Sequence, residues 1–180
     1  DVTYFAVGRG ATVLLLRRSG DPGTWHLRTN GLPEASIGAI GDRAGRYPVN
    51  GWLSALPALV RPDAKRLVVV GLGGGLAVEE VPKGFSSVDV IELEPEVVAA
   101  NRAVSSARRR DPLADPRVRV HVNDARGSLL LTDARFDAIV SQPSHPWTAG
   151  ASHLYTREFF ELVRDHLTAD GVFVQWIGLA

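Results

Sequence analysis

Three glycines at alternate positions, Gly71-x-Gly73-x-Gly75, follow the apolar run Val68-Val69-Val70 and lead into a helical segment. Glycines at such a turn let the chain bend sharply and let a ligand approach the backbone closely. A phosphate-cradling P-loop would need Lys and then Ser or Thr after the glycines, but Leu76-Ala77 stand there. A dinucleotide fingerprint would need a glycine three residues after Gly73, and that position is Leu76. The spacing suits a nucleoside with a sulfonium tail and no phosphate; a ligand-free strand-to-helix turn is the other reading. Glu92 follows Gly71 by 21 residues and closes the next apolar run. A carboxylate at a strand end can accept hydrogen bonds from both hydroxyls of a ribose, or simply be solvated there. Asp124 in Asn123-Asp124-Ala125 can accept from an adenine amino group while the Ala125 N–H donates to the ring, and it can equally cap the helix that follows.

The next candidate is the stretch Ser141-Gln142-Pro143-Ser144-His145-Pro146-Trp147. Gln142 can orient a polar substrate but takes no proton. His145 can act as a base, since an unperturbed imidazole titrates near roughly 6.5. Trp147 and Tyr155 can wall an apolar or cationic group; a rigid loop with a solvated His and a packed Trp is the bland alternative. Other chemistries find little support. His145, His153 and His166 lack ligand spacing and Cys partners, so no metal is expected. Ser152-His153 lacks the G-x-S-x-G setting of a nucleophile elbow. Arg108-Arg109-Arg110 reads as a solvated helix end rather than a nucleic-acid patch.

These residues need a scaffold, and the apolar patterning supplies one. The first third is β-rich. Thr3 to Val7 and Ala11 to Leu16 flank the break Gly8-Arg9-Gly10, and Trp25 to Thr29 ends in the turn pair Asn30-Gly31. Gly38 to Asn50 reads as loop, and Trp52 to Leu59 as a helix limited by Pro57. From there strand and helix alternate. Strands are expected at Leu67–Val70, Val88–Leu93, Val118–Val122, Phe136–Ser141 and Gly171–Ile177. Helices are expected from Ala77, over Glu96–Arg109 after Pro95, from Arg126, and over Arg157–Leu167 capped by Thr156. In the last of these, Phe159, Phe160, Val163 and Leu167 share one face. This alternation predicts an α/β fold with a parallel sheet built from right-handed crossovers.

Composition narrows the class. The 180 residues carry 20 basic and 20 acidic side chains, so no net charge draws the chain to nucleic acid or to an acidic membrane surface. No apolar run approaches the roughly 20 residues of a membrane-spanning helix. With no Cys there is neither a disulfide framework nor a thiolate, which fits a cytoplasmic protein. With no Met at all, the sequence is expected to be a segment of a longer chain or to lack some positions.

Leu67 to Glu96 (LVVVGLGGG…VDVIELEPE), Asn123-Asp124 and Phe136 to Gln175 (FDAIVSQPSHPW…LYTREFFELV…GVFVQ) resemble the spermidine synthase-like family, and LRTNG more loosely resembles its LxLDG strand and turn. The resemblance implies a Rossmann-like, methyltransferase-type parallel sheet at 51–180, cut short after its fifth strand, with a small N-terminal β-rich region at 1–50. It also implies aminopropyl transfer from decarboxylated S-adenosylmethionine to an amine, leaving methylthioadenosine. Carried over by residue, Gly71, Gly73 and Gly75 match the nucleoside loop, Glu92 the ribose acid, Asp124 with Ala125 the adenine pair, and Gln175 a glutamine of the fifth strand. The amine half departs from the pattern. Gly74 replaces the loop Asp, Gln142 and His145 replace two acids, and the apolar Trp52 to Leu59 replaces a tyrosine-histidine motif. A dication is costly to desolvate without carboxylates, so the acceptor is expected to differ from a standard diamine, with His145 as the substitute base. A methyltransferase using S-adenosylmethionine and a non-catalytic nucleoside-binding module remain open. The expected partners are a small amine, and either further copies of the chain or a longer chain containing it, because the sheet would otherwise keep an open edge.

Overall fold

The computed structural model describes residues 1–41, 49–144 and 150–177. Four strands, β1 (Val2–Val7), β2 (Thr12–Arg18), β3 (Asp21–Thr29) and β4 (Leu32–Gly38), form an antiparallel meander in chain order. Asn30 and Gly31 sit at φ 50 and 80, the left-handed pair that a two-residue hairpin turn demands. The Asn30 side chain also accepts a hydrogen bond from Thr12 N at 2.8 Å, which ties the turn to β2. In the β3–β4 ladder Leu27 faces Ala35 but Arg28 faces Pro33. Glu34 is therefore the extra residue of a β-bulge, a device that re-aims one side chain out of the regular alternation.

The second sheet is parallel and runs β7-β6-β5-β8-β9. Its strands are β5 (Arg66–Val70), β6 (Ser87–Glu92), β7 (Val118–Val122), β8 (Phe136–Ser141) and β9 (Leu167–Gln175). Between them lie α1 (Val49–Val60, before β5), α2 (Leu76–Glu79), α3 (Pro95–Ala103), α4 (Ala125–Leu130) and α5 (Arg157–Asp165). The buried run in β5 splits by the two-residue period of a strand. Leu67 and Val69 join the core shared with Leu15, Trp25 and Ile37 of the antiparallel sheet. Val68 and Val70 face the opposite core with Leu129, Ile139 and Phe159. The expected α/β class and parallel sheet are present.

Several boundaries differ from the sequence reading. Gly38 belongs to β4 and Asn50 to α1, while 42–48 lie outside the described residues. Helix α1 runs through Pro57 to Val60, packed on α2 and β9. Strand β9 starts at Leu167, where it pairs with Phe136, and a register irregularity precedes the pairing of Val172 with Ala138. Thr156 caps α5 as expected, accepting from Phe159 N at 3.3 Å.

Helix α3 stops at Ala103 rather than near Arg109. The reason is Arg108, which is buried rather than solvated. Its guanidinium bonds Glu79, Asn101 Oδ1 at 2.8 Å and the Gly74 carbonyl at 2.8 Å. Satisfying that buried charge draws the chain out of the helix. The same segment is stitched to the end of β4, with Arg109 N on Gly38 O at 2.8 Å and Ile40 N on Ala107 O at 3.0 Å. Arg108 is thus a brace inside the fold and not a solvated helix end.

Candidate nucleoside-binding site

The parallel sheet reverses its strand order beside β5: the chain moves outward to β6 and β7, then returns to β8 and β9. Ligands in open α/β sheets bind beyond the carboxyl ends of the strands at such a switch point. A cavity of about 260 Å³ lies there, bordered by Gly71, Gly73, Glu92, Asp124, Ala125 and Gln142 among others. A second cavity of about 250 Å³ adjoins it, bordered by Asn50, Gly73, Gly74, Gln142, Ser144 and Trp176.

The loop glycines divide their tasks. Gly71 has φ 88, and a Cβ there would sit 2.9 Å from the Gln142 carbonyl oxygen. Gly75 has φ 78, and its Cβ would meet Pro112 at 2.7 Å. Both positions serve the turn and its packing. Gly73 has φ 51 and open space where a Cβ would point, so its backbone is bare toward the cavity. The loop is fixed from behind. Asn101 donates to the Gly73 carbonyl at 2.8 Å, and Arg108 holds Gly74.

Glu92 ends β6 and is buried. One carboxylate oxygen accepts from Leu72 N at 2.8 Å and the other from Glu94 N at 2.9 Å. Beyond these two bonds the carboxylate keeps lone-pair capacity for ligand hydroxyls. Burial pushes the Glu92 carboxyl up from its ordinary value, against the pull of the backbone N–H groups of Glu94, Leu72 and Gly73. Asp124 caps α4 through Gly127 N at 2.7 Å and also borders the cavity. Its capping bond uses one oxygen, so capping and ligand contact are compatible.

Gln142 is fixed at both ends. Its Nε2 donates to the Gly71 carbonyl at 3.0 Å, and its Oε1 accepts from Asn50 at 3.2 Å. With Glu34, Gly73, Pro143 and Ser144 it borders both cavities. Tyr155 donates to the Ser144 carbonyl at 3.2 Å, and Gln175 donates to the Trp176 carbonyl at 3.0 Å. Neither borders either cavity; they stand behind residues that do. Burial pushes the Tyr155 hydroxyl up, and the neighbouring Gln175 amide pulls it back. His145 and Trp147 lie outside the described residues.

Sequence reasoning passed over four contributors. Glu94 accepts from Gly10 N at 3.0 Å and Ala11 N at 3.2 Å, holding the β1–β2 turn at the cavity rim. Asn50 and Trp176 border the second cavity, and Glu34 borders both. The pair Glu94-Pro95, a capping residue before a helix-starting proline, carried a signal for Glu94. Nothing local marked Glu34, because the bulge that aims it is a property of strand pairing.

The first cavity is acidic. Glu34, Glu92, Glu94 and Asp124 border it, and no Lys, Arg or His does among the described residues. A phosphate there would lack the cationic partner that such groups require. No cluster of three or more metal-binding side chains occurs among the described residues, and no helix among them is long and apolar enough to cross a membrane.

The fold and the crevice define a Rossmann-like domain of the methyltransferase type carrying an N-terminal antiparallel sheet. The spermine/spermidine synthase domain model matches residues 48–176, and the chain belongs to that family. Polyamine aminopropyltransferase 2 of Bacillus cereus is 35% identical over 127 residues, which cover 65% of this chain and 35% of that protein. The chain thus spans about a third of that relative's length. Among solved structures, a spermidine synthase in complex with the transition-state analogue AdoDATO superposes with TM-score 0.82 at 19% identity, covering 97% of this chain and 57% of that one. An S-adenosylmethionine-bound amino pentose methyltransferase from Micromonospora echinaspora superposes with TM-score 0.54 at 25% identity over 73% of this chain and 50% of that one.

Gly74, where the resemblance leads one to expect Asp, is closely packed. A Cβ at Gly74 would lie 2.6 Å from Ala35 Cβ and 3.2 Å from Ile37 Cγ1 of β4. Restoring the acid with Gly74→Asp is expected to destabilise the protein by about 1–3 kcal/mol through overpacking. Adding Ala35→Gly is expected to recover part of that loss, as read from urea midpoints.

Proposed function

We propose that this chain binds an S-adenosyl-type nucleoside with a cationic tail, decarboxylated S-adenosylmethionine in turnover and methylthioadenosine as product, and transfers the aminopropyl group to a small amine. The observation that carries this reading is Glu92: a buried carboxylate, oriented by two backbone N–H groups, at the floor of a cavity lined with acids and free of cations among the described residues. Such a site favours hydroxyl donors and positive charge, and it disfavours phosphate. Asp124 and Ala125 border the same cavity and would contact the adenine of that ligand.

In the reaction the acceptor nitrogen attacks the tail carbon next to sulfur with its lone pair. The C–S bond breaks, and its electron pair neutralises the sulfonium. The nitrogen gives up a proton to a base, for which His145 is our candidate. The leaving group comes ready-made in the donor, so the protein's task is mainly positioning. Gln142, anchored between the glycine loop and α1, would help align the acceptor.

The test is titration calorimetry of the purified protein with methylthioadenosine, followed by turnover of the decarboxylated donor with a panel of amines. Saturable methylthioadenosine binding with amine-dependent product supports the reading. No binding by the folded protein overturns it. Methyl transfer from S-adenosylmethionine in place of aminopropyl transfer would move the chain to the other reaction class.

A further inference from the structure

Glu34 borders each of three neighbouring cavities: the nucleoside cleft, the second cavity beside Gly74, and a third lined by Arg18, His26 and Asn50. Among the described residues it is the one common to all three. It occupies the β4 bulge, where the register slips between the Leu27–Ala35 and Arg28–Pro33 pairs. Thr29 Oγ1 donates to its Oε1 at 2.5 Å from β3, and Ser144 Oγ donates to the same oxygen at 2.8 Å from the loop after β8. These bonds fix the carboxylate, while Oε2 accepts no bond from the described residues.

The second cavity is bordered by no other charged side chain among the described residues. A donor tail leaving the nucleoside cleft past Gly73 enters that junction, because Gly73 and Glu34 border both spaces. We propose that Glu34, supplied by the antiparallel sheet, reads the charge of the donor tail and selects the decarboxylated nucleoside over S-adenosylmethionine. The inference rests on the nucleoside reading above. A decarboxylated tail presents sulfonium and ammonium, two positive charges with no negative one. The parent compound adds a carboxylate, which would lie near Glu34; among the described residues Arg18 and Arg28 border only the third cavity, and no Lys or Arg borders the two spaces that the tail would occupy. Like charges in a partly desolvated site repel, and an unpaired carboxylate there is costly to desolvate. In this chain the acid absent at Gly74 is thereby replaced from across the cleft, on the strand whose packing fills the Gly74 position.

The experiment measures three dissociation constants, for decarboxylated S-adenosylmethionine, S-adenosylmethionine and methylthioadenosine, in wild type, Glu34→Gln and Glu34→Asp. The wild type is expected to prefer the decarboxylated donor by at least tenfold. Glu34→Gln keeps an oxygen for Thr29 and Ser144 and is expected to reduce that preference about tenfold. Its methylthioadenosine affinity should stay within twofold, since that tail is neutral. Glu34→Asp keeps the charge and is expected to retain part of the preference. An unchanged donor ratio in Glu34→Gln overturns the proposal, as does an equal loss of all three ligands, which would mark a merely structural residue. Failure of the wild type to bind methylthioadenosine would instead remove the nucleoside reading itself.

Discussion

Glu92→Ala is expected to weaken methylthioadenosine binding at least 100-fold while leaving a folded protein. Two ribose hydroxyls would each donate to a charged acceptor, and such bonds contribute roughly 1.5–3 kcal/mol apiece. Losing both corresponds to a factor of about 100 or more, at about 1.4 kcal/mol per tenfold. Of the two residues whose N–H groups Glu92 now satisfies, Glu94 borders the first cavity and Leu72 the second, so water can reach them in the variant. Calorimetry gives the affinity, and circular dichroism reports the fold. Binding within threefold of wild type would remove Glu92 from the site.

The pH dependence of Glu92 has an unusual sign. Burial raises its folded pKa above the ordinary 4.5, so the folded protein holds this proton more tightly than the unfolded chain does. Its contribution to stability is present below the unfolded value and is lost as pH rises through the folded one. Ligand hydroxyls need the ionised form, so affinity rises across the same window. The thermal stabilisation given by methylthioadenosine is expected to grow as pH climbs above about 4.5. Asp89 and Asp115 behave oppositely. Burial pushes the Asp89 carboxyl up, but hydrogen bonds from Arg119 and His121 outweigh it and hold the group below its ordinary value, and Arg117 does the same for Asp115, so their stabilisation disappears in acid.

The second large effect concerns Arg108. Arg108→Met leaves Glu79 as a buried carboxylate whose remaining cation, Arg109, sits at 3.4 Å and is substantially exposed. Breaking one side of a buried pair costs about 3–5 kcal/mol, which should appear as a large drop in urea midpoint. Arg108→Met with Glu79→Leu is expected to recover most of that stability, because it removes both buried charges. It is not expected to restore ligand binding. The Gly74 carbonyl loses its donor in either variant, and Asn101 loses the guanidinium that aligns it on Gly73. A double variant that binds methylthioadenosine as wild type does would show that the brace serves stability alone.

Much of the fold was legible along the chain because it rests on local rules. Asn30-Gly31 forced the hairpin through its left-handed backbone. The continuous apolar run at Leu67–Val70 marked a strand buried on both faces, and Thr156 and Asp124 capped the helices they precede. Where local rules met a distant partner, the reading shifted. Arg108, at the apparent end of a long helix, was drawn inward by Glu79, which precedes it by 29 residues.

The same division holds for the site. By itself the sequence determined the parallel α/β scaffold, the glycine turn and the position of Glu92 at the end of the next strand, since these follow from apolar patterning and spacing along the chain. Only the tertiary structure decided that β4 fills the space over Gly74 and that a bulge aims Glu34 into the junction of the cavities. Strand register and sheet-on-loop packing join residues far apart in the chain, and neither leaves a periodic trace in the residues concerned.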